Sequence, residues 1–243
     1  MRKTLVLAAL FLLALVPAAV RAHTLPPQSV STYILLDRTG SMSSIWDEAL
    51  TSVNAYAVDL GKETPEDAGL KTSITLAVFD HQGGLQFDVL RSHVVPAQWR
   101  NITSAEASPR GMTPLYDAIG RMVSLAEKDN PKQAVLVIMT DGEENSSTEF
   151  NQGAAKAALD RARARGWEVV FLGAEFAKFS DAGAMGVDAS QTMAVSKDGM
   201  TATMQNLAKK NRSYGQSQGQ SKVTFDETDR ATAKEEDVKD RQQ

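Results

Sequence analysis

Short apolar runs alternate with amphipathic stretches from Ser31 onward, which is the order that strands and crossover helices take in a mainly parallel sheet. The most apolar run, Ala134 to Met139, is predicted to be a central strand, because such a strand is covered on both faces. Leu85 to Val94 alternates after a Gly83-Gly84 turn, as an antiparallel edge hairpin does. The pattern therefore predicts a doubly wound α/β fold, with a mainly parallel sheet, one antiparallel edge strand and helices on both faces.

The individual elements follow from the same periodicity. Predicted strands cover residues 32–36, 72–79, 85–94, 134–139, 169–172 and 192–195. Predicted helices cover residues 46–60, 114–126, 154–165, 176–184 and 200–208, with Gly61 and Gly166 ending two of them.

The two ends of the chain differ in composition from this middle part. Arg2 and Lys3 precede an apolar run that ends in small residues, so residues 1–22 are predicted to be a signal peptide cleaved after Ala22. A retained anchor is the alternative, but the run is shorter than the roughly 20 residues of a spanning helix, so no stable membrane span is expected after cleavage. We therefore expect an exported protein, periplasmic or secreted. Residues 31–215 are predicted to form one domain, and the Gln-, Ser- and charge-rich residues 216–243 a flexible polar tail.

Composition removes several classes of function. The formal net charge of -4 gives no broad basic surface, so nucleic acid is not an expected partner. Cysteine is absent, which excludes disulfides, thiolate zinc sites and a cysteine nucleophile.

Oxygen-bearing side chains gather in three loops at one predicted edge of the sheet. Asp37, Thr39 and Ser41 follow the first strand, Asp141 follows the central strand, and Thr113 stands directly before a helix. Ligands of open parallel sheets bind at the carboxyl ends of the strands, so these side chains are expected to converge. Carboxylates and hydroxyls are ligands for a hard cation such as Mg²⁺. Two carboxylates roughly balance a divalent ion, and neutral hydroxyls leave a coordination position open for an outside carboxylate.

Each residue also has an ordinary structural explanation. Asp37 and Asp141 can be strand-end turn residues, Ser41 can serve local capping, and Thr113 before Pro114 is a natural N-cap. The joint pattern of three loops in this order favours the cation site.

The same loops resemble the metal ion-dependent adhesion site of von Willebrand factor A domains. The resemblance rests on Leu35-Leu36-Asp37-Arg38-Thr39-Gly40-Ser41-Met42, then Gly111-Met112-Thr113-Pro114-Leu115, then Thr140-Asp141-Gly142, and covers about residues 31–214. The usual first loop is Asp-x-Ser-x-Ser, and Thr39 here keeps the middle oxygen while adding a methyl group. Phe171-Leu172-Gly173-Ala174 and Ala182-Gly183-Ala184-Met185-Gly186 also resemble bacterial stand-alone members of the family.

The resemblance implies a Rossmann-like fold and a role for each ligand. Thr39 and Ser41 would bind the metal directly, Thr113 would approach or retreat with partner binding, and Asp37 and Asp141 would act partly through water. The metal would be Mg²⁺, or Mn²⁺ or Ca²⁺ in its place. The implied function is a protein-binding module for adhesion or assembly, in which the metal accepts a Glu or Asp from a partner.

Two alternatives remain open at this stage. A magnesium-dependent phosphohydrolase also places an Asp at the end of its first strand, but it needs a second acid two residues on, where this chain has Thr39. With no candidate general acid or base, we do not expect an enzyme. The other alternative is a metal-free structural domain.

Glu143 and Glu144 are interpreted as solvated loop charges, and Asn145-Ser146-Ser147, a glycosylation-type triplet, is given no role.

Overall fold

The computed structural model describes residues 28–62, 64–65, 69–174 and 180–241. The predicted signal peptide, its cleavage site and residues 176–179 of one predicted helix lie outside these residues. Within them, no helix is both long and apolar enough to cross a bilayer. The strands are β1 (Ser29–Asp37), β2 (Lys71–His81), β3 (Leu85–Val94), β4 (Ala134–Thr140), β5 (Glu168–Ala174) and β6 (Thr192–Val195). The helices are α1 (Trp46–Leu60), α2 (Leu115–Asp129), α3 (Gln152–Ala164), α4 (Ser180–Ala184), α5 (Met200–Gln216), α6 (Glu227–Ala233) and α7 (Glu235–Arg241).

The strands form one six-stranded sheet in the order β3-β2-β1-β4-β5-β6. All neighbouring strands pair in parallel except β2 and β3, which pair antiparallel at one edge. Strand β4 lies between β1 and β5 and is buried along its whole length, as its apolar sequence predicts. These observations confirm the predicted α/β fold with a single antiparallel edge strand.

Helices cover both faces of the sheet. Along β1, Ile34 and Leu36 belong to one apolar core and Tyr33 and Leu35 to the other, because successive side chains of a strand point to opposite faces. The first core includes the inner faces of α1 and α5, and the second includes those of α2 and α3. The sheet is therefore covered on both faces, and the loops at its strand ends lie between the two layers of helices.

The C-terminal segment corrects the expectation of a flexible tail. Residues 227–233 and 235–241 form α6 and α7, and the segment buries four apolar side chains: Val223, Phe225, Ala233 and Val238. The first three of these residues join the same apolar core as the side chains of β6, an edge strand that would otherwise be exposed on its outer side.

An ion pair of this segment completes the open edge of β6. The backbone N–H of Ala194 donates to the Glu235 carboxylate at 3.0 Å, and Arg230 donates to the carbonyl of Thr192 at 3.3 Å. Arg230 and Glu235 also bond to each other at 2.9 Å. Their side chains thus supply the hydrogen bonds that a seventh strand would make, and this explains why so polar a segment orders.

Candidate metal centre

The five predicted ligands come from three loops that meet beside the ends of β1 and β4. These two strands are parallel neighbours, with Leu36 opposite Met139, so the residues that follow them leave the sheet at the same level. Thr113 joins them from the turn before α2.

A chain of hydrogen bonds joins four of the five side chains. The Thr113 hydroxyl donates to Thr39 Oγ1 at 3.3 Å, and the hydroxyls of Thr39 and Ser41 are 3.2 Å apart. The Ser41 hydroxyl donates to Asp141 Oδ1 at 2.8 Å. The structure therefore brings these predicted site residues into contact across 100 residues of sequence.

The fifth residue, Asp37, lies directly beneath this chain. Its Oδ1 accepts the backbone N–H of Thr39 at 2.7 Å, and its Oδ2 accepts the hydroxyl of Thr140 at 2.6 Å. Thr140 also accepts the backbone N–H of Gly142 at 3.1 Å, so it ties Asp37 to the loop that carries Asp141. Sequence reasoning did not single out Thr140 as a site residue, although it lies within the quoted Thr140-Asp141-Gly142 motif.

Burial leaves the two carboxylates short of compensating charge. Asp37 and Asp141 are 0% and 2% exposed. Burial, with a smaller contribution from the charge of Asp141, raises the pKa of Asp37 to about 7, although the hydrogen bonds from Thr140 and Thr39 lower it. Burial also raises the pKa of Asp141, against the hydrogen bond from Ser41. The nearby Arg38 does not relieve them, since its guanidinium pairs with Asp80 at 3.0 Å and with Asp88.

One carboxylate oxygen of this cluster has no hydrogen-bond partner among the described residues. Asp141 Oδ2 is buried and accepts no hydrogen bond from any described residue. A buried polar atom without a partner costs about 1–3 kcal/mol, more when charged, and a cation or water bound at Asp141 Oδ2 would remove that cost. Within the described residues, no three His, Cys, Asp or Glu side chains gather closely enough to hold a metal. Two carboxylates and three hydroxyls are nevertheless a donor set that fits a hard divalent cation.

The ordinary explanations for the hydroxyl residues find little support in the contacts. Helix α2 begins after Pro114 without a side-chain cap, so Thr113 does not serve as its N-cap. The short 3₁₀ turn over residues 40–44 likewise has no side-chain cap, and Ser41 bonds to Asp141 instead.

Gly142 allows the loops to approach closely. A Cβ at this position would stand 2.9 Å from Thr113 Oγ1 and 3.6 Å from Ser41 Oγ, within the cluster itself. Any larger residue would have to displace the Thr113 hydroxyl.

Glu144 and Asp117 brace the loop after Asp141. Glu144 is not the solvated charge that the sequence predicts, because its carboxylate accepts the backbone N–H of Tyr116, at the start of α2, at 2.9 Å. It also accepts the N–H groups of Ser146 and Ser147 at 2.8 and 2.7 Å. Asp117 accepts three further backbone N–H groups, those of residues 148–150. The sequence gives no signal for these bonds, because they depend on how the loop folds back onto α2.

Comparison with known proteins identifies the fold. No protein-family model matches the chain, and no curated protein does so either. Solved structures do match. The pilus adhesin SpaC from Lactobacillus rhamnosus GG superimposes with a TM-score of 0.61 at 15% identity, over 77% of this chain and 30% of SpaC. The vWF domain of the type V pili tip protein Mfa5 from Porphyromonas gingivalis gives 0.55 at 12% identity, over 76% of this chain and 95% of that domain.

Proximal thread matrix protein 1 from the mussel byssus gives 0.54 at 16% identity, over 76% of this chain and 46% of its own. This chain thus spans less than half of SpaC and of the mussel protein, but nearly the whole of the Mfa5 domain. At such low identity the likeness concerns the fold alone, and the fold is that of a von Willebrand factor A domain.

Proposed function

We propose that this chain is a divalent-cation-dependent protein-binding module for adhesion or assembly. Asp37, Thr39, Ser41, Thr113 and Asp141 would hold Mg²⁺, or Mn²⁺ or Ca²⁺ in its place. The observation that carries the proposal is the unpartnered Oδ2 of Asp141, buried beside a second buried carboxylate and three hydroxyls.

The carboxylates and the hydroxyls would contribute differently to binding such an ion. The two aspartates supply the negative charge that offsets it, and Asp37 is oriented for this by Thr140 and by the backbone of Thr39. The hydroxyls of Thr39, Ser41 and Thr113 add oxygen ligands without further charge.

The site also has an accessible side. Ser41 is exposed, whereas Asp37, Thr39, Thr113 and Asp141 are buried, so an outside group would reach the cluster past Ser41. A bound divalent ion with an open position supplies affinity for a carboxylate, and the proposed partner is therefore a protein that presents a Glu or Asp. The pilus adhesin and the pili tip protein among the structural matches support a role at the outside of a cell, as does the predicted signal peptide.

Calorimetry tests the metal site. Titration with Mg²⁺ and Mn²⁺ should give binding heat with the wild-type protein and none with Asp141→Ala. Asp198→Ala is the matched control, because its side chain is 73% exposed and lies outside the cluster, and it should bind like the wild type. Equal heats for wild type and Asp141→Ala would favour a structural domain without this metal.

A second experiment tests the partner. Pull-down from the envelope of the exporting cell should recover a protein with Mg²⁺ but not with chelator, and Asp37→Ala should recover none. A partner retained equally in chelator would contradict the proposal. Magnesium-dependent phosphate release that is lost in Asp37→Asn would instead identify a phosphohydrolase.

A further inference from the structure

A single residue holds both backbone groups of Thr113. The backbone N–H of Thr113 donates to the side-chain Oδ1 of Asn145 at 2.8 Å. The backbone N–H of Asn145 in turn donates to the carbonyl of Thr113 at 3.0 Å. These two bonds form a reciprocal clamp between the Thr113 turn and the loop that follows Asp141.

The Thr113 hydroxyl has little else to fix its position. The hydrogen bond that it donates to Thr39 Oγ1 is long at 3.3 Å, beyond the usual limit of about 3.0 Å for two hydroxyls, and therefore weak. The residue does not cap α2. Its place in the cluster therefore depends on its backbone, and the clamp is what holds that backbone from the side of Asp141.

The clamp is firm although Asn145 is exposed. The preceding Glu144 bonds to the first turn of α2 and to Ser147, and Ser147 Oγ accepts the backbone N–H of Asp117 at 3.1 Å. The loop is thus fastened to α2 immediately after Asn145. Asn145 lies four positions after Asp141, so the clamp fixes one proposed ligand relative to another.

We infer that Asn145 is a positioning residue that sets the place of the Thr113 hydroxyl relative to Ser41 and Asp141 in the cation site. The inference rests on the proposed function. It also assigns a role to the Asn145-Ser146-Ser147 triplet, which sequence analysis left without one. In addition, any movement of Thr113 must break these two bonds or carry the loop over residues 143–147 with it.

Mg²⁺ affinity, measured by calorimetry, provides the main test. Asn145→Ala removes only the hydrogen bond that Thr113 N–H donates to Oδ1, and it should weaken Mg²⁺ binding by about tenfold, the lower end of the range for residues that orient metal ligands. Asn145→Asp keeps an oxygen acceptor at the same place and should stay within about threefold of the wild type. A loss in Asn145→Asp as large as that in Asn145→Ala would overturn the inference.

A double-mutant cycle distinguishes positioning of Thr113 from a general structural effect. Thr113→Val removes the hydroxyl with little change of shape. If Asn145 acts through that hydroxyl, adding Asn145→Ala to Thr113→Val should weaken Mg²⁺ binding by less than about twofold more. If the double variant bound Mg²⁺ tenfold more weakly than Thr113→Val alone, Asn145 would not act through the Thr113 hydroxyl.

Hydrogen exchange reports on the clamp without any metal. In chelator, the Thr113 amide hydrogen should exchange at least about tenfold faster in Asn145→Ala than in the wild type. In Asn145→Asp its exchange rate should stay within about threefold of the wild-type rate. Unchanged exchange in Asn145→Ala would overturn the inference. Failure of the wild type to bind Mg²⁺ would contradict the proposed function as well, whereas equal Mg²⁺ affinity of wild type and Asn145→Ala would overturn only the role of Asn145.

Discussion

Asp37→Asn should make the metal-free protein more stable than the wild type at pH 8, and Mg²⁺ should cancel most of this advantage because it stabilises only the wild type. Burial raises the pKa of Asp37 from its ordinary 3.8 to about 7 in the folded protein. The folded state therefore holds this proton more tightly than the unfolded state. It follows that the wild type in chelator loses stability as the pH rises from about 4 to about 7, and that the whole penalty is present above this window.

The loss of stability caused by ionising Asp37 follows from the pKa values of its carboxyl group in the unfolded and the folded protein. They differ by about three, and each unit corresponds to about 1.4 kcal/mol, so the free energy of unfolding is about 4 kcal/mol lower at pH 8. Because the side chain is 0% exposed, solvent does not screen this charge. An Asn at this position can still accept the N–H of Thr39, but the Thr140 hydroxyl loses its acceptor, at a cost of about 1 kcal/mol. The free energy of unfolding of Asp37→Asn in chelator at pH 8 should therefore exceed that of the wild type by about 3 kcal/mol.

Urea unfolding at pH 5 and pH 8, in chelator and in Mg²⁺, measures this gain. In chelator the gain should shrink to within about 1 kcal/mol at pH 5, where the folded wild type keeps the proton. In Mg²⁺ at one hundred times its Kd, the wild type should gain about 2.7 kcal/mol that the variant does not.

Asp198→Asn is the control, because its carboxylate is exposed, and it should follow the wild type in every condition. The reasoning is refuted if Asp37→Asn is no more stable than the wild type in chelator at pH 8, or if the difference between the two proteins does not change with pH.

Two other substitutions test the packing of the site and of the sheet edge. Gly142→Ala places a methyl group 2.9 Å from Thr113 Oγ1 and should weaken Mg²⁺ binding at least about tenfold in calorimetry, whereas Gly153→Ala, in α3 with room for a Cβ, should not. Equal affinities would show that the cluster tolerates the methyl. Glu235→Ala leaves the backbone N–H of Ala194 without its acceptor and removes the carboxylate that pairs with Arg230, and it should lower the free energy of unfolding by about 2–3 kcal/mol. Glu236→Ala, at an 81% exposed carboxylate, should lower it by less than about 0.5 kcal/mol in the same urea titration, and similar losses would contradict the edge role of Glu235.

The sheet and the convergence of the site could be predicted because both follow from local pattern. The apolar run of β4 and the alternation of β3 each identify a strand by its own residues. Once β1 and β4 are recognised as parallel strands of one sheet, the rule that loops meet at their carboxyl ends brings Asp37 and Asp141 together. The role of these residues in holding a cation stays a prediction.

Composition was misleading at the C-terminus, where the chain is too polar to predict a folded segment. The local signal for α6 was present, since Asp226 and Asp229 form a capping box. What the sequence does not show is that β6 is an edge strand with open hydrogen-bonding groups, to which Arg230 and Glu235 can bond.

The sequence by itself thus determined the succession of strands and helices as far as α5 and the chemical types of the site residues. Only the tertiary structure decided the roles of Thr140, Glu144 and Asn145. It also decided that the polar C-terminal segment folds into α6 and α7. The physical reason is the same in each case. Burial and hydrophobic periodicity leave a pattern along the chain, whereas a polar side chain gains its role from the unsatisfied backbone groups that the fold places beside it.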